Sequence, residues 1–176
     1  MPKSSKEQID FDEKKVIKEL QKNSKESIDK IAKKCGFSRQ KVWRIIKKLE
    51  EDKTIWGYNA VVDDEKLKLK KYIFLLKRNN KPISADKLEI ATSGKVKKEL
   101  AKRDIDVNFN LLVHGDYDLI LCVTAPSIKE TILLSNTLSS LFGEYISDIK
   151  ILDVIFPMQK GGLDNPRLSD LKDFFI

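Results

Sequence analysis

The sequence predicts an α+β chain in two parts, and three observations carry that prediction. Residues 1–62 hold three short helical periodicities with a tight turn before the third. Residues 72–156 alternate strand-like and helix-like runs in the order β-α-β-β-α-β. The basic excess is concentrated in the first part: residues 1–62 carry 16 Lys and Arg against 10 Asp and Glu, the remainder 18 against 17. Together these describe an N-terminal helix-turn-helix with a short wing (1–62), a charged linker (63–71), a ferredoxin-like βαββαβ domain (72–156) and a C-terminal tail (157–176).

Composition sets the bounds. A chain of 176 residues, 41% apolar and 35% charged, can bury a core and keep an ionic surface. No apolar run is long enough to span a membrane, and "MPKSSKEQID" lacks the apolar region of a secretory signal, so a cytoplasmic location is expected. Cys35 and Cys122 offer neither a disulfide framework nor a metal spacing and read as two buried or semi-buried thiols. The net charge of +7, gathered in the first third, points to a polyanionic partner for that third.

Residues 1–10 read as a polar tail. The first helix is expected over 12–22, with Asp12 near its start and Val16, Ile17 and Leu20 at helical spacing. Asn23-Ser24 breaks it. Ser27 can cap a second helix whose stripe is Ile28, Ile31 and Ala32, and Gly36 can stop it in the left-handed conformation. Ser38 caps a third helix running to about residue 52, with Val42, Ile45, Ile46 and Leu49 at i, i+3, i+4, i+7. "TIWGYNAVVD" then has the β-branched and aromatic content of a short strand pair or wing.

In the second part "YIFLLK" is a strand. "ADKLEIATSGKVKKELAKR" is helical with a break at Thr92-Ser93-Gly94. "VNFNLLV" is a strand, "GDYD" a turn, and "LILCVTA" a strand apolar enough for a central position. "SIKETILLSNTLSSLFG" is a helix with capping-box spacing at Ser127 and Glu130 and Gly143 at its end. "YISDIKILDVIF" is the fourth strand. The tail holds a Gly161-Gly162 loop and an amphipathic end with Leu171, Phe174, Phe175 and Ile176.

The third helix carries the chemistry of the first part. At 100° per residue Gln40, Arg44 and Lys47 fall opposite its apolar stripe, with Trp43 on the flank. A helix in the major groove reads bases near its N-terminus and holds phosphates along its sides. Gln40 can bond adenine bidentately, and Arg44 can bond guanine or a phosphate. Ser38 and Arg39 sit where free backbone N–H groups favour anions, and Lys41, Lys47 and Lys48 suit phosphates. Trp43 can pack on the wing or touch a sugar. A plain three-helix bundle for protein contacts is the competing reading, and basic charge with the outward Gln/Arg/Lys set favours double-stranded DNA.

In the second part "HGDYD" is the informative motif, and by residue type alone Gly115-Asp116 is a hairpin turn signal. His114, the one histidine, has no Cys or His neighbours for a metal site; it fits a hairpin residue and can also sense pH. There is no phosphate loop, nucleophile elbow or zinc spacing, so no catalytic residues, metal or cofactor are expected.

Three stretches in this order give a family resemblance: "GFSRQKVWRIIKKLEEDKTIWGY", ending in Ile55, Gly57 and Tyr58 of an I-x-G-Y signature; "NAVVDDEKLKL"; and "VHGDYDLILCV". The chain resembles the Lrp/AsnC (feast/famine) transcription regulators, and an archaeal origin is expected. The resemblance implies DNA binding through the third helix, a homodimer and higher oligomers, and an amino-acid effector lodged at His114, Gly115, Asp116, Tyr117 and Asp118. Asp116 or Asp118 would then accept from the effector's ammonium, with the Gly115 backbone approaching closely. Residues 79–95 are longer than the family's usual connection, the chain extends past Phe156, and Ile45 stands where many members carry an arginine. Two other classes share these features in part. One is an effector-independent architectural DNA binder. The other is the siroheme decarboxylases, which rely on a His/Arg set around the tetrapyrrole; here there is one His, with Arg at 39, 44, 78, 103 and 167.

Overall fold

The computed structural model describes residues 6–175. These divide between Val61 and Val62 into two compact units, with Gly161–Leu163 grouped with the first.

The first unit holds α1 (Lys6–Lys22), α2 (Ile28–Cys35) and α3 (Arg39–Glu51). Local chemistry sets the ends of α2 and α3. Ser27 Oγ accepts from the Lys30 N–H and Ser38 Oγ from the Lys41 N–H at 3.2 Å, each satisfying a first-turn donor. Gly36, at φ 72°, ends α2 while the Phe37 N–H returns to the Ala32 carbonyl at 2.9 Å. The core joins Val16, Ile31, Ala32, Cys35 and Val42, flanked by Leu20, Ile28, Phe37, Ile45 and Ile46.

Two expectations change here. Helix α1 starts at Lys6, so residues 6–10, expected as tail, are helical, and the first five residues lie outside the described ones. "KEQ" are good helix formers, and the Gln8 amide donates to Asp12 one turn on at 2.9 Å. Asp12 is therefore mid-helix, and it is buried. Second, residues 54–63 contain no strand. The run has β-propensity but its residues enter no strand ladder, and propensity alone does not hold a lone strand.

The second unit is an antiparallel sheet of β1 (Lys70–Arg78), β2 (Asp106–Leu112), β3 (Leu119–Ala125) and β4 (Ile146–Asp153), ordered β2-β3-β1-β4. Helices α4 (Ala85–Thr92), α5 (Lys95–Ala101) and α6 (Ile128–Phe142) complete the ferredoxin-like order. Tyr72, Phe74, Leu76, Leu121 and Val123 alternate on the face that packs with Leu100, Leu134 and Leu138. The break expected at Ser93-Gly94 separates α4 from α5. Ser127 and Glu130 bond side chain to side chain at the start of α6. Gly143 does not take a left-handed stop; its φ is −57° and the chain continues into a 3-10 turn, Gly143–Tyr145.

Residues 63–71, expected as a linker, are structured by ion pairs. The Asp64 carboxylate accepts from Lys160 Nζ at 2.6 Å and lies 3.5 Å from Lys71 Nζ. In the tail, β5 (Gln159–Lys160) and β6 (Leu163–Asp164) flank Gly161 and Gly162, both at positive φ as a tight hairpin turn requires. Phe174 meets Phe156 with ring centroids 5.4 Å apart, while Phe175 is exposed. Ile176 lies outside the described residues.

Candidate nucleic-acid interface and effector loop

Helix α3 is fixed to α1 by two ion pairs. Lys41 Nζ lies 2.6 Å from the buried Asp12 carboxylate and 4.1 Å from the centre of the Phe37 ring. Lys48 Nζ lies 2.6 Å from Glu13. The Lys41 hydrogen bond holds the Asp12 carboxyl below its ordinary range, against the opposing effect of burial. Bonding to Glu13 likewise pushes the Lys48 ammonium up. Both lysines are engaged within the fold.

The other expected residues lie together on the solvent side. Gln40 is exposed, and its carbonyl accepts from Arg44 Nε at 3.4 Å. Lys47 Nζ sits 5.3 Å from the Trp43 ring centre and 3.7 Å from Glu51. Trp43 is half exposed. Arg39 reaches Asp29 at 3.7 Å with both groups largely in water, a pair an anion can displace at little cost. Ser38 serves as the cap. Residues 39, 40, 43, 44 and 47 thus form one polar, cationic stripe on a helix braced from behind. Beyond it, Trp56 is 95% exposed, and the Tyr58 hydroxyl donates to Glu50 at 2.9 Å.

The "HGDYD" segment joins β2 to β3. The Val113 N–H donates to the Asp118 carbonyl and the Asp118 N–H to the Leu76 carbonyl, both at 2.9 Å. The Asp118 carboxylate accepts the Arg78 N–H at 2.7 Å, so it closes the end of β1. Asp116 and His114 remain exposed. Lys150 Nζ stands 5.7 Å from the Tyr117 ring centre. Arg78 was not singled out in the sequence, since it only ends an apolar strand. Its buried Nε has no hydrogen-bond partner among the described residues. Among those residues no group of three or more His, Cys, Asp or Glu could hold a metal, and no helix is long and apolar enough to cross a membrane. Cys35 and Cys122 are free and buried, and burial pushes both thiols up.

Comparison with known proteins bears on this arrangement. The family profile described as winged helix-turn-helix DNA-binding matches residues 13–55. An uncharacterized HTH-type transcriptional regulator of Pyrococcus furiosus is 30% identical over 127 residues, covering 70% of this chain and 78% of the relative. The AsnC family transcriptional regulator of Agrobacterium tumefaciens superposes with a TM-score of 0.61 at 23% identity, covering 85% of this chain and 92% of that one. A feast or famine regulatory protein of M. tuberculosis, complexed with L-methionine, gives 0.66 at 16% identity, covering 86% and 95%. The last two likenesses are of fold. With the matched helix-turn-helix segment, the relative of Pyrococcus makes this chain a member of the HTH-type transcription regulators, on the fold that the AsnC and feast or famine structures share.

Proposed function

We propose that α3 enters the major groove of a specific DNA site, with residues 1–62 as the DNA-binding domain, 72–156 as the effector and oligomerisation domain, and 157–176 as an added tail. Gln40 and Arg44 read base edges, Arg39 and Lys47 hold phosphates with the free N–H groups behind Ser38, and Trp43 lies against the sugar edge. Lys41 and Lys48 position the helix from behind. The observation that carries the reading is the outward stripe of residues 39–47 on a helix braced by the Asp12 and Glu13 pairs. The protein acts by binding, in the cytoplasm, and catalyses nothing.

The acting species is a homodimer that can build larger assemblies. On the sheet face away from the helices, Phe109, Leu111 and Leu152 are each 41–49% exposed beside Ile73, Leu75 and Ile120. An apolar face of this kind favours a second copy. Two α3 helices would then meet half-sites about one DNA turn, or a multiple of it, apart.

A small amino acid modulates the assembly through the β2–β3 loop, as the L-methionine complexes of fold neighbours suggest. Asp118 is engaged with Arg78, which leaves Asp116 to meet an ammonium group. Mapping bound genomic sites with and without a panel of amino acids tests the whole reading. Discrete, palindromic sites whose occupancy changes with one amino acid are expected; uniform coverage would indicate an architectural binder.

A further inference from the structure

The helical face of the second unit holds a cleft of about 420 Å³. The break at Gly94 parts α4 from α5 and leaves Ile90, Val96 and Leu100 facing Leu133 and Leu134 of α6 around one opening. The walls are apolar, and Leu133 remains 38% exposed there. The charged groups on the rim are unequal. Glu99 is paired with Lys102 at 2.7 Å. Lys95 and Arg103 have no carboxylate within ion-pair distance among the described residues. The cleft therefore combines an apolar floor with two unpaired cations, the arrangement that selects an apolar body carrying an anionic head.

We infer that this cleft is a second small-molecule site, separate from the β2–β3 loop, for a free monocarboxylate with a hydrophobic tail. Val96, Leu100, Leu133 and Leu134 take the tail, and Arg103 and Lys95 take the carboxylate. The volume lies within the range of small-ligand pockets and suits a chain of about eight carbons. A neutral chain of the same length leaves both cations unanswered, and a short acid leaves the floor bare.

The test is titration of the full chain, methyl-labelled at Ile, Leu and Val, with octanoate, 1-octanol and acetate. Octanoate should saturate and shift the methyl signals of Ile90, Val96, Leu133 and Leu134. Octanol should bind about tenfold more weakly, and acetate should leave those signals unmoved. Arg103→Gln should weaken octanoate about tenfold, and Thr137→Trp, filling the cleft from the rim, should abolish it. Circular dichroism establishes that each variant is folded; Arg103→Gln, at an exposed position, carries the test if Thr137→Trp does not fold. Octanol binding as tightly as octanoate, shifts confined to other methyl groups, or an unchanged affinity in Arg103→Gln would each overturn the assignment.

Discussion

Lys41, on α3, donates to the buried carboxylate of Asp12 on α1 at 2.6 Å. The bond makes a lysine on the polar side of α3 a brace for that helix. Asp12→Ala leaves Lys41 without its acceptor and should cost about 1–3 kcal/mol in urea unfolding at pH 7. The folded carboxyl titrates below its ordinary range, so its contribution is present above that range and is lost as pH falls through the depressed value. The gap between wild type and Asp12→Ala should therefore narrow as pH falls below the ordinary aspartate range.

The same pair separates positioning from contact. Lys47→Ala should weaken DNA binding across sequences and reduce the slope of log affinity against log salt by about 1. Lys41→Ala should lower the unfolding free energy while leaving that slope unchanged in the folded protein. Equal slopes for wild type and Lys47→Ala would remove Lys47 from the phosphate contacts.

Asp116 and Asp118 should part in behaviour although the sequence offers them as equals. Asp118→Ala loses the acceptor of the Arg78 N–H and should destabilise by about 1–2 kcal/mol. Asp116→Ala should leave the melting temperature within error and abolish any amino-acid dependence of DNA affinity. Calorimetry against the twenty amino acids sets the condition: binding weaker than about 1 mM, near −4 kcal/mol, from all of them would remove the amino-acid effector.

Leu111→Lys places a charge on the exposed apolar sheet face and should convert the assembly to smaller species in light scattering, with the fold intact by circular dichroism. Deleting residues 167–176 should instead lower the melting temperature at constant mass. Arg167 pairs with Asp63 and Glu65, and Phe174 meets Phe156, so the deletion removes contacts that anchor the tail.

What could be read from the sequence was local. Ser27, Gly36 and Ser38 mark helix ends because cap chemistry involves neighbours three or four residues apart, and the sheet order follows from alternating element types. The long-range partners were hidden. Lys48 meets Glu13 from 35 residues away, and Asp118 meets Arg78 across 40, so whether these charges face DNA, effector or each other depends on packing. The strand expected at 54–63 does not form for a related reason: strand content is a property of pairs, and residues 54–63 enter no strand ladder. The start of α1 was missed because residues 6–10 form helix with little apolar periodicity to show it.

Gel-shift titration at fixed salt, against a site recovered from bound-site mapping and its single-base variants, tests whether α3 reads DNA through Gln40 and Arg44. Arg44→Ala should lose about 1–3 kcal/mol on the preferred site and little on variants altered at its base, and Gln40→Ala should change which base is preferred at one position. Unchanged affinity and unchanged base preference in both folded variants would contradict the assignment of α3 as the reading element.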